Sequence, residues 1–459
     1  MRFARELPSG AQRIPPTVVV ISLGLVAVIA SAVTIVGSDT LWLPALGSRI
    51  RDNWTIPSGI PFAAASSGDW VNTTVLGQLV FSGAYSAGSI GVVVAQALAV
   101  LCTLLALARD ALRRGARPTM TSLVIIAVSV GAAASLFITR AQMLSLLPFG
   151  LLLVLLRRQH ERPTAGIWWA ALLIALWGNL HGAVLVGEAV LGCYLLFSRL
   201  RRTPTTAVAV GAASLAATCL NPGLLSAPRY YLGVVSGAAT DDESGMWSRL
   251  SLSNPFDVLL IVVAVVLAVA ALRRRAALWE WAAGVGLLVA TLSAARHGVW
   301  LLLFLAVPAA LGASLRQKDP LGMSNTAQAI PGGVGVAMIL VSAAVLSLRA
   351  PYFHASDAAS ALIARTAHQQ VVLAPEPLAE SLAAEGATVW ASNPLDAFEP
   401  SDQRSYLAFL RGDAAGARRA LEGSELVVAE QGSAQFHLAL KSGYREVGST
   451  GRFIVLRRK

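Results

Sequence analysis

The chain has 459 residues, 55% of them apolar and 13% charged, with a mean hydropathy of +0.64, which excludes an ordinary set of soluble domains, where roughly 25% of residues carry charge. Its formal charge of +11 would suit a nucleic-acid binder, but residues 1–350 hold 25 Lys and Arg against 13 Asp and Glu, while 351–459 hold 11 against 12. The basic excess therefore lies among apolar runs, where it sets orientation in a lipid bilayer, and no nucleic acid is expected as a partner.

A membrane span needs about 20 apolar residues, and eleven runs are read as spans: 17–36, 86–108, 119–138, 142–156, 165–179, 182–198, 205–220, 257–272, 277–293, 298–314 and 329–348. The first has Arg2, Arg5 and Arg13 before it and continues past Ala30-Ser31-Ala32 to Val36, so it reads as an uncleaved anchor rather than a signal peptide. Alternate connections are short and basic: 109–117, 157–162, 199–202, 273–275, then Arg316 and Lys318. With the N-terminal arginines, this face holds 18 of the 25 basic residues before 351, and the positive-inside rule makes it cytoplasmic. Eleven spans from a cytoplasmic N-terminus place the C-terminal segment outside the cell membrane, together with the long polar segments 38–85 and 221–256.

The expected fold is an all-α polytopic membrane domain over 1–350, followed by a small soluble α/β extracytoplasmic domain over 351–459. In the second part the periodicity predicts helices at 357–368, 376–385, 401–421 and 433–442 and strands at 370–374, 387–391, 425–429, 444–448 and 452–457. That part has no Gly-rich phosphate loop and no metal-ligand cluster. Cys102, Cys193 and Cys219 all sit in apolar runs, so neither a disulfide nor a zinc framework is offered.

Function is sought among polar residues at the ends of spans on the basic-poor face: Asp39, Arg140, Asn179, His181, Asn221, Arg296 and His297. Asp39 follows the first span, where a carboxylate can take a proton from an acceptor hydroxyl, or can simply cap a turn. Arg140 and Arg296 occupy tight turns between apolar runs, and a guanidinium offers a planar fork of donors that matches phosphate oxygens; snorkelling to lipid headgroups is the alternative. The stretch Trp177-Gly178-Asn179-Leu180-His181-Gly182 interrupts an apolar run, and irregular backbone at membrane depth needs protein or water around it. Glu188 lies seven residues after His181, hence on the same helical face, as a functional carboxylate or as half of a buried His–Glu pair. In the second outer segment, Trp247 and Arg249 are read as sugar-stacking or interface groups. Asp241-Asp242-Glu243 offers carboxylates for a divalent cation, the one cofactor suggested, against the reading of a solvated loop.

Asp39-Thr40-Leu41-Trp42, Asp69-Trp70-Val71-Asn72, Arg140-Ala141-Gln142, the Trp-Gly-Asn-Leu-His-Gly turn, Leu220-Asn221-Pro222, Trp247 and Arg296-His297 occur in this order. The whole resembles uncharacterised bacterial multi-spanning membrane proteins of the GT-C type of glycosyltransferase. The resemblance implies a polyprenyl-phosphate-linked sugar as donor, an essential acid in the first outer loop at Asp39, and phosphate binding by Arg140 and Arg296. It departs from that pattern at Leu43, at Asn72-Thr73-Thr74 and at Ala141, where relatives carry His, His-Glu-Trp and Pro. The leading expectation is a transferase that moves a sugar from a polyprenyl phosphate to an envelope glycan or protein acceptor, with Asn179 and His181 positioning the donor. A transporter or flippase of lipid-linked glycans and a catalytically silent glycan-binding relative are the alternatives.

Overall fold

The computed structural model of the protein describes residues 17–37, 40–68, 70–235, 248–315, 331–367 and 369–459. Asp39, Asp241, Asp242, Glu243 and Trp247 lie outside the described residues. Every one of the eleven apolar runs falls on a helix. The chain begins with α1 (Thr17–Val33), β1 (Ile35–Val36), α2 (Trp42–Asn53), α3 (Val75–Tyr85), α4 (Gly88–Arg113), α5 (Pro118–Gly131), α6 (Ala133–Leu136) and β2 (Ile138–Thr139). It continues through α7 (Met143–Glu161), α8 (Trp169–Gly178), α9 (Val184–Tyr194), α10 (Pro204–Ala217), α11 (Ala227–Val235), α12 (Pro255–Ala271), α13 (Leu278–Ser293), α14 (Gly298–Ser314) and α15 (Pro331–Thr366). Helices α5, α10 and α12 open on a proline, whose fixed φ suits the first helical position and whose missing N–H would be unpaired there anyway.

Among the described residues three helices are long and apolar enough to cross a bilayer unaided, Gly88–Arg113, Ala295–Ser314 and Gly332–Thr366, and seven more are apolar over 10–17 residues. The shorter pieces arise because polar turns cut the runs, as at 179–183 between α8 and α9. The long polar segment 38–85 is not a bare loop: α2 buries Trp42, Leu43, Leu46 and Ile50, and packs against α3.

Helix α15 runs unbroken through Ala350-Pro351, so the last apolar run and the expected helix at 357–368 are one element. Its Arg349 caps α1: Nη1 donates to Ser31 O at 2.8 Å and Nη2 to Thr34 O at 2.7 Å. A cation there satisfies carbonyls that a helix end leaves without partners, and it fixes where the chain leaves α1.

Beyond it come β3 (Val372–Leu373), α16 (Leu378–Ala384), α17 (Pro400–Arg411), α18 (Arg418–Glu422), β4 (Leu426–Glu430), α19 (Ala434–Lys441), β5 (Tyr444–Thr450) and β6 (Phe453–Arg458). The sheet order is β3-β4-β6-β5, with β3 parallel to β4 and the remaining pairs antiparallel. Continuous apolar runs in β3 and β4 and Ile454, Val455 and Leu456 in β6 are all buried, which is what a sheet covered by helices requires. The strand expected at 387–391 is a single bridging stretch with neighbours on both sides, Val389 pairing with Val372 and with Ala63. Ala64 N donates to Val389 O at 2.8 Å, Ala65 N to Trp390 O at 2.9 Å, and Val389 N to Phe62 O at 2.9 Å. Residues 62–65 thus serve as an extra edge of the C-terminal sheet.

On α16, Glu380 is fully buried; its Oε1 accepts from Asn393 N at 3.0 Å and Asn393 Nδ2 at 3.1 Å, while Oε2 has no hydrogen-bond partner. Burial, and after it the Glu376 charge, holds this carboxyl well above the ordinary carboxylate range. Its stabilising contribution is therefore complete below the unfolded value of about 4.3 and is lost as pH rises through the folded one. The Glu380→Gln variant keeps the neutral shape, so at about pH 8 it should protect 370–395 from hydrogen exchange better than wild type, by about 1–3 kcal/mol, with the difference vanishing near pH 4. Equal protection at the higher pH would show that the buried carboxyl carries no such cost.

Candidate active site

Two parallel bridges, Ile35 to Ile138 and Val36 to Thr139, bring the exit of α1 beside the turn that carries Arg140. Gly37 N donates to Thr139 O at 3.2 Å, and a Cβ at Gly37 would fall 2.3 Å from that oxygen and 3.4 Å from Arg140 Cγ, so only glycine permits the approach. On the far side of 38–39, Thr40 Oγ1 donates to Thr139 O at 2.6 Å and meets Thr139 Oγ1 at 3.0 Å. Both flanks of the segment that carries Asp39 are thus anchored to the residue preceding Arg140.

The next turns join this corner in sequence. Gln142 Nε2 donates to the Arg296 carbonyl at 3.3 Å, which links the 140–142 turn to the short 3-10 turn Ala295–His297. Ala295 N donates to Ser248 O at 3.1 Å, so exposed Arg249 stands beside the same turn. The Arg296 charge is felt at both His181 and His297. His297 Nδ1 is buried without a partner.

His181 is oriented by a chain of donors. Trp177 Nε1 donates to Ser145 Oγ at 2.7 Å, Ser145 Oγ lies 3.0 Å from His181 Nδ1, and Ala183 N donates to that same Nδ1 at 3.1 Å. An indole N–H and a backbone N–H can only donate, so the Ser145 proton goes to Nδ1 and the neutral ring keeps its own hydrogen on Nε2. Half-buried His181 can then present Nε2–H as a donor to a substrate oxygen.

The other named residues have different partners. Asn179 Nδ2 donates to Ala175 O at 2.9 Å and Leu220 O at 2.6 Å, stapling the 179–183 turn to the 220–223 turn. Asn221 spends both ends of its amide locally, Nδ2 on Thr218 O at 2.8 Å and Oδ1 on Gly223 N at 2.8 Å. Glu188 accepts from Ser214 Oγ on α10 at 3.1 Å, and its Oε1 is buried without a partner; the hydrogen bonds of His181 go to Ser145 and Ala183, not to Glu188. Among the described residues no three His, Cys, Asp or Glu side chains gather as a metal site, and Asp241, Asp242 and Glu243 lie outside them.

Sequence reasoning missed the layer beneath these turns. Asn72 and Gln78 exchange amide hydrogen bonds of 2.9 and 2.7 Å, which gives buried Asn72 a structural partner at a place where the motif departs from its relatives. Trp42 and Trp70 meet edge to face at 6.3 Å. Tyr230 of α11 and Asp396 of the C-terminal part adjoin Trp70; burial raises the Asp396 carboxyl, and burial and then Asp396 push the Tyr230 hydroxyl well above its ordinary value. Ser145 and Asp396 stood in runs whose patterns gave no local signal of a partner across the fold.

No protein-family model and no curated protein matches the chain. Solved structures do. ArnT from Cupriavidus metallidurans bound to undecaprenyl phosphate aligns with a TM-score of 0.55 at 13% identity, covering 96% of this chain and 97% of that one. The same protein in the apo state gives 0.50 at 13% identity over equal shares. Arabinofuranosyltransferase AftD from Mycobacteria gives 0.51 at 15% identity, covering 95% of this chain and 41% of that longer one. Identities this low speak for architecture alone, and the chain has the GT-C-like fold that its motifs resemble.

Proposed function

We propose that this chain is a membrane glycosyltransferase that takes a sugar from a polyprenyl-phosphate donor and passes it to an acceptor hydroxyl on the outer face of the cell membrane. The observation that carries the reading is the convergence of the three turns that carry Arg140, Arg296 and His181, joined through Gln142 and Ser145. Two fixed positive charges can neutralise the lipid phosphate as it leaves, and preorganised donors stabilise the charge that develops there. His181 Nε2–H would hold a phosphate or sugar oxygen, and Asp39 would take the acceptor proton. A neighbouring fold bound to undecaprenyl phosphate supports a polyprenyl-phosphate partner. In this reading the C-terminal part and segments 38–85 and 221–256 lie outside and the arginine-rich turns lie in the cytoplasm. Asn179 and Asn221 hold the turns in place, and Arg249 beside the 295–297 turn would contact the sugar.

The test is transfer from a panel of polyprenyl-phosphate sugars by purified full-length protein, with donor binding measured in parallel. Transfer to a suitable acceptor supports the reading, and donor binding without transfer refutes it. Within the site, Ser145→Ala should lower kcat by about tenfold with little change in donor KM, because the imidazole loses the bond that orders it while the arginines remain. An unchanged kcat would remove His181 orientation from the mechanism.

One observation favours a second reading: the unpartnered Glu188 Oε1 inside α9. If the chain couples proton movement to transport of a lipid-linked glycan, Glu188→Gln abolishes function and Asp39→Asn spares it, the reverse of the transferase outcome.

A further inference from the structure

The end of the helix bundle opposite the candidate site holds a cluster built on different principles. Arg157 on α7 and Arg199, in the π-turn Leu195–Arg199 that continues α9, are each only 4% exposed. Each spends one nitrogen on a carbonyl: Arg157 Nη2 on Phe304 O at 2.7 Å, Arg199 Nη2 on Thr164 O at 3.1 Å. Nε and Nη1 of both side chains are buried without a hydrogen-bond partner, and so are Arg274 Nε and the indole Nε1 of Trp279.

Trp279 is the hub that makes these one cluster. Its ring meets Tyr194 at 5.6 Å, Phe304 at 6.2 Å and His160 at 6.3 Å. The Tyr194 hydroxyl faces Arg199, and His160 Nδ1 lies 2.8 Å from Oγ of Ser198, the residue before Arg199. Phe304 supplies the carbonyl that holds Arg157, and its ring lies under the same guanidinium.

The balance of charge and of donors leans one way. Asp110 pairs with Arg114 and lies 3.6 Å from Arg157 Nη1; Glu161 pairs with Arg114, and Glu280 with Arg274. Arg202 donates to the His160 carbonyl at 2.8 Å. Among the described residues, three carboxylates thus stand against five guanidiniums, pairing with Arg114, Arg157 and Arg274 and leaving Arg199 and Arg202 to carbonyls. Among the described residues the surplus is positive, and the unpartnered groups are donors, apart from the Thr203 hydroxyl, which can donate or accept, and Asp110 Oδ2, which already lies in the ion pair with Arg157. Buried charge is retained where counter-charge and hydrogen-bond partners meet it. What this cluster lacks is an anion made only of acceptors, and the planar forks of two arginines match tetrahedral oxyanions best. A π-turn at the same place is a distortion that recurs at functional sites.

We propose that Arg157, Arg199 and Trp279 form a phosphate-binding site at the arginine-rich end of the bundle, separate from the site of the transfer reaction and independent of it. The phosphate comes either from an anionic lipid headgroup reaching between helices or from a free phosphate.

The experiment uses the full-length protein in nanodiscs and distinguishes these sources. In phosphatidylcholine nanodiscs orthophosphate is titrated while thermal unfolding is followed; in a second arm phosphatidylglycerol replaces part of the phosphatidylcholine, and retained lipid is counted by native mass spectrometry. Saturable stabilisation by orthophosphate identifies a free phosphate, and retention of phosphatidylglycerol with no orthophosphate effect identifies the headgroup. In either case Arg199→Gln should weaken the effect about tenfold or more. Trp279→Phe, which removes one donor and no charge, should weaken it by a smaller factor and covers the outcome in which Arg199→Gln does not fold. The proposal is overturned if neither probe binds, or if Trp279→Phe binds both as wild type does.

Discussion

Asp39→Asn is expected to lower glycosyl transfer by about 10²–10⁴-fold while donor binding persists, because an amide of the same shape cannot accept a proton from the acceptor hydroxyl. The size of the effect rests on how the segment is held. Gly37 and Thr40 are both hydrogen-bonded to Thr139, next to Arg140, so the substitution changes one functional group between fixed flanks rather than the path of the chain. Single-turnover transfer with saturating donor, measured beside equilibrium donor binding, separates chemistry from affinity. Wild-type turnover by the variant would take Asp39 out of the reaction.

Arg140→Gln and Arg296→Gln should each cost about 2–5 kcal/mol of donor binding, since each leaves a phosphate charge unanswered at a place where water is scarce. The loss should vanish for an uncharged polyprenol, which separates phosphate recognition from damage to the lipid groove. The two effects should also be non-additive by about 0.5–3 kcal/mol, because Gln142 joins the Arg140 turn to the Arg296 carbonyl and, in the proposed reading, the arginines share one ligand. Strict additivity, or equal losses for charged and uncharged lipids, would mean that the arginines act separately from any phosphate.

The helices of the bundle were legible in the sequence because continuous apolar runs have few other solutions in a bilayer, and the polar turns stood out against them. The strands of the C-terminal sheet were legible for a similar reason: β4 and β6 are short apolar runs between turn residues. What escaped was partnership. Helical periodicity put Glu188 on the face of His181, yet His181 accepts from Ser145 and Glu188 from Ser214, because periodicity defines a face and not the helix that packs on it. Helix α2 escaped because Pro44 and Gly47 weaken its local preference and its helicity depends on burying Trp42, Leu43 and Leu46. Arg349 stands just past the last apolar run, 329–348, with no local sign that its guanidinium serves another helix, α1. The resemblance motifs fared better, since five of them mark turns that adjoin one another in space.

The pairing of 62–65 with Val389 and Trp390 also bears on how the protein is made. Tyr85 and Glu385, a hydrogen-bonded pair in the same region, are 300 residues apart in the chain, so segment 62–65 emerges long before its partners are synthesised. Until then it is an unpaired edge, and contacts of such long sequence separation form late. Closure of the C-terminal sheet therefore reports that the intervening helices have been inserted in the right order. A chain stalled or truncated before Val389 would expose that edge, an invitation to β-pairing with other chains.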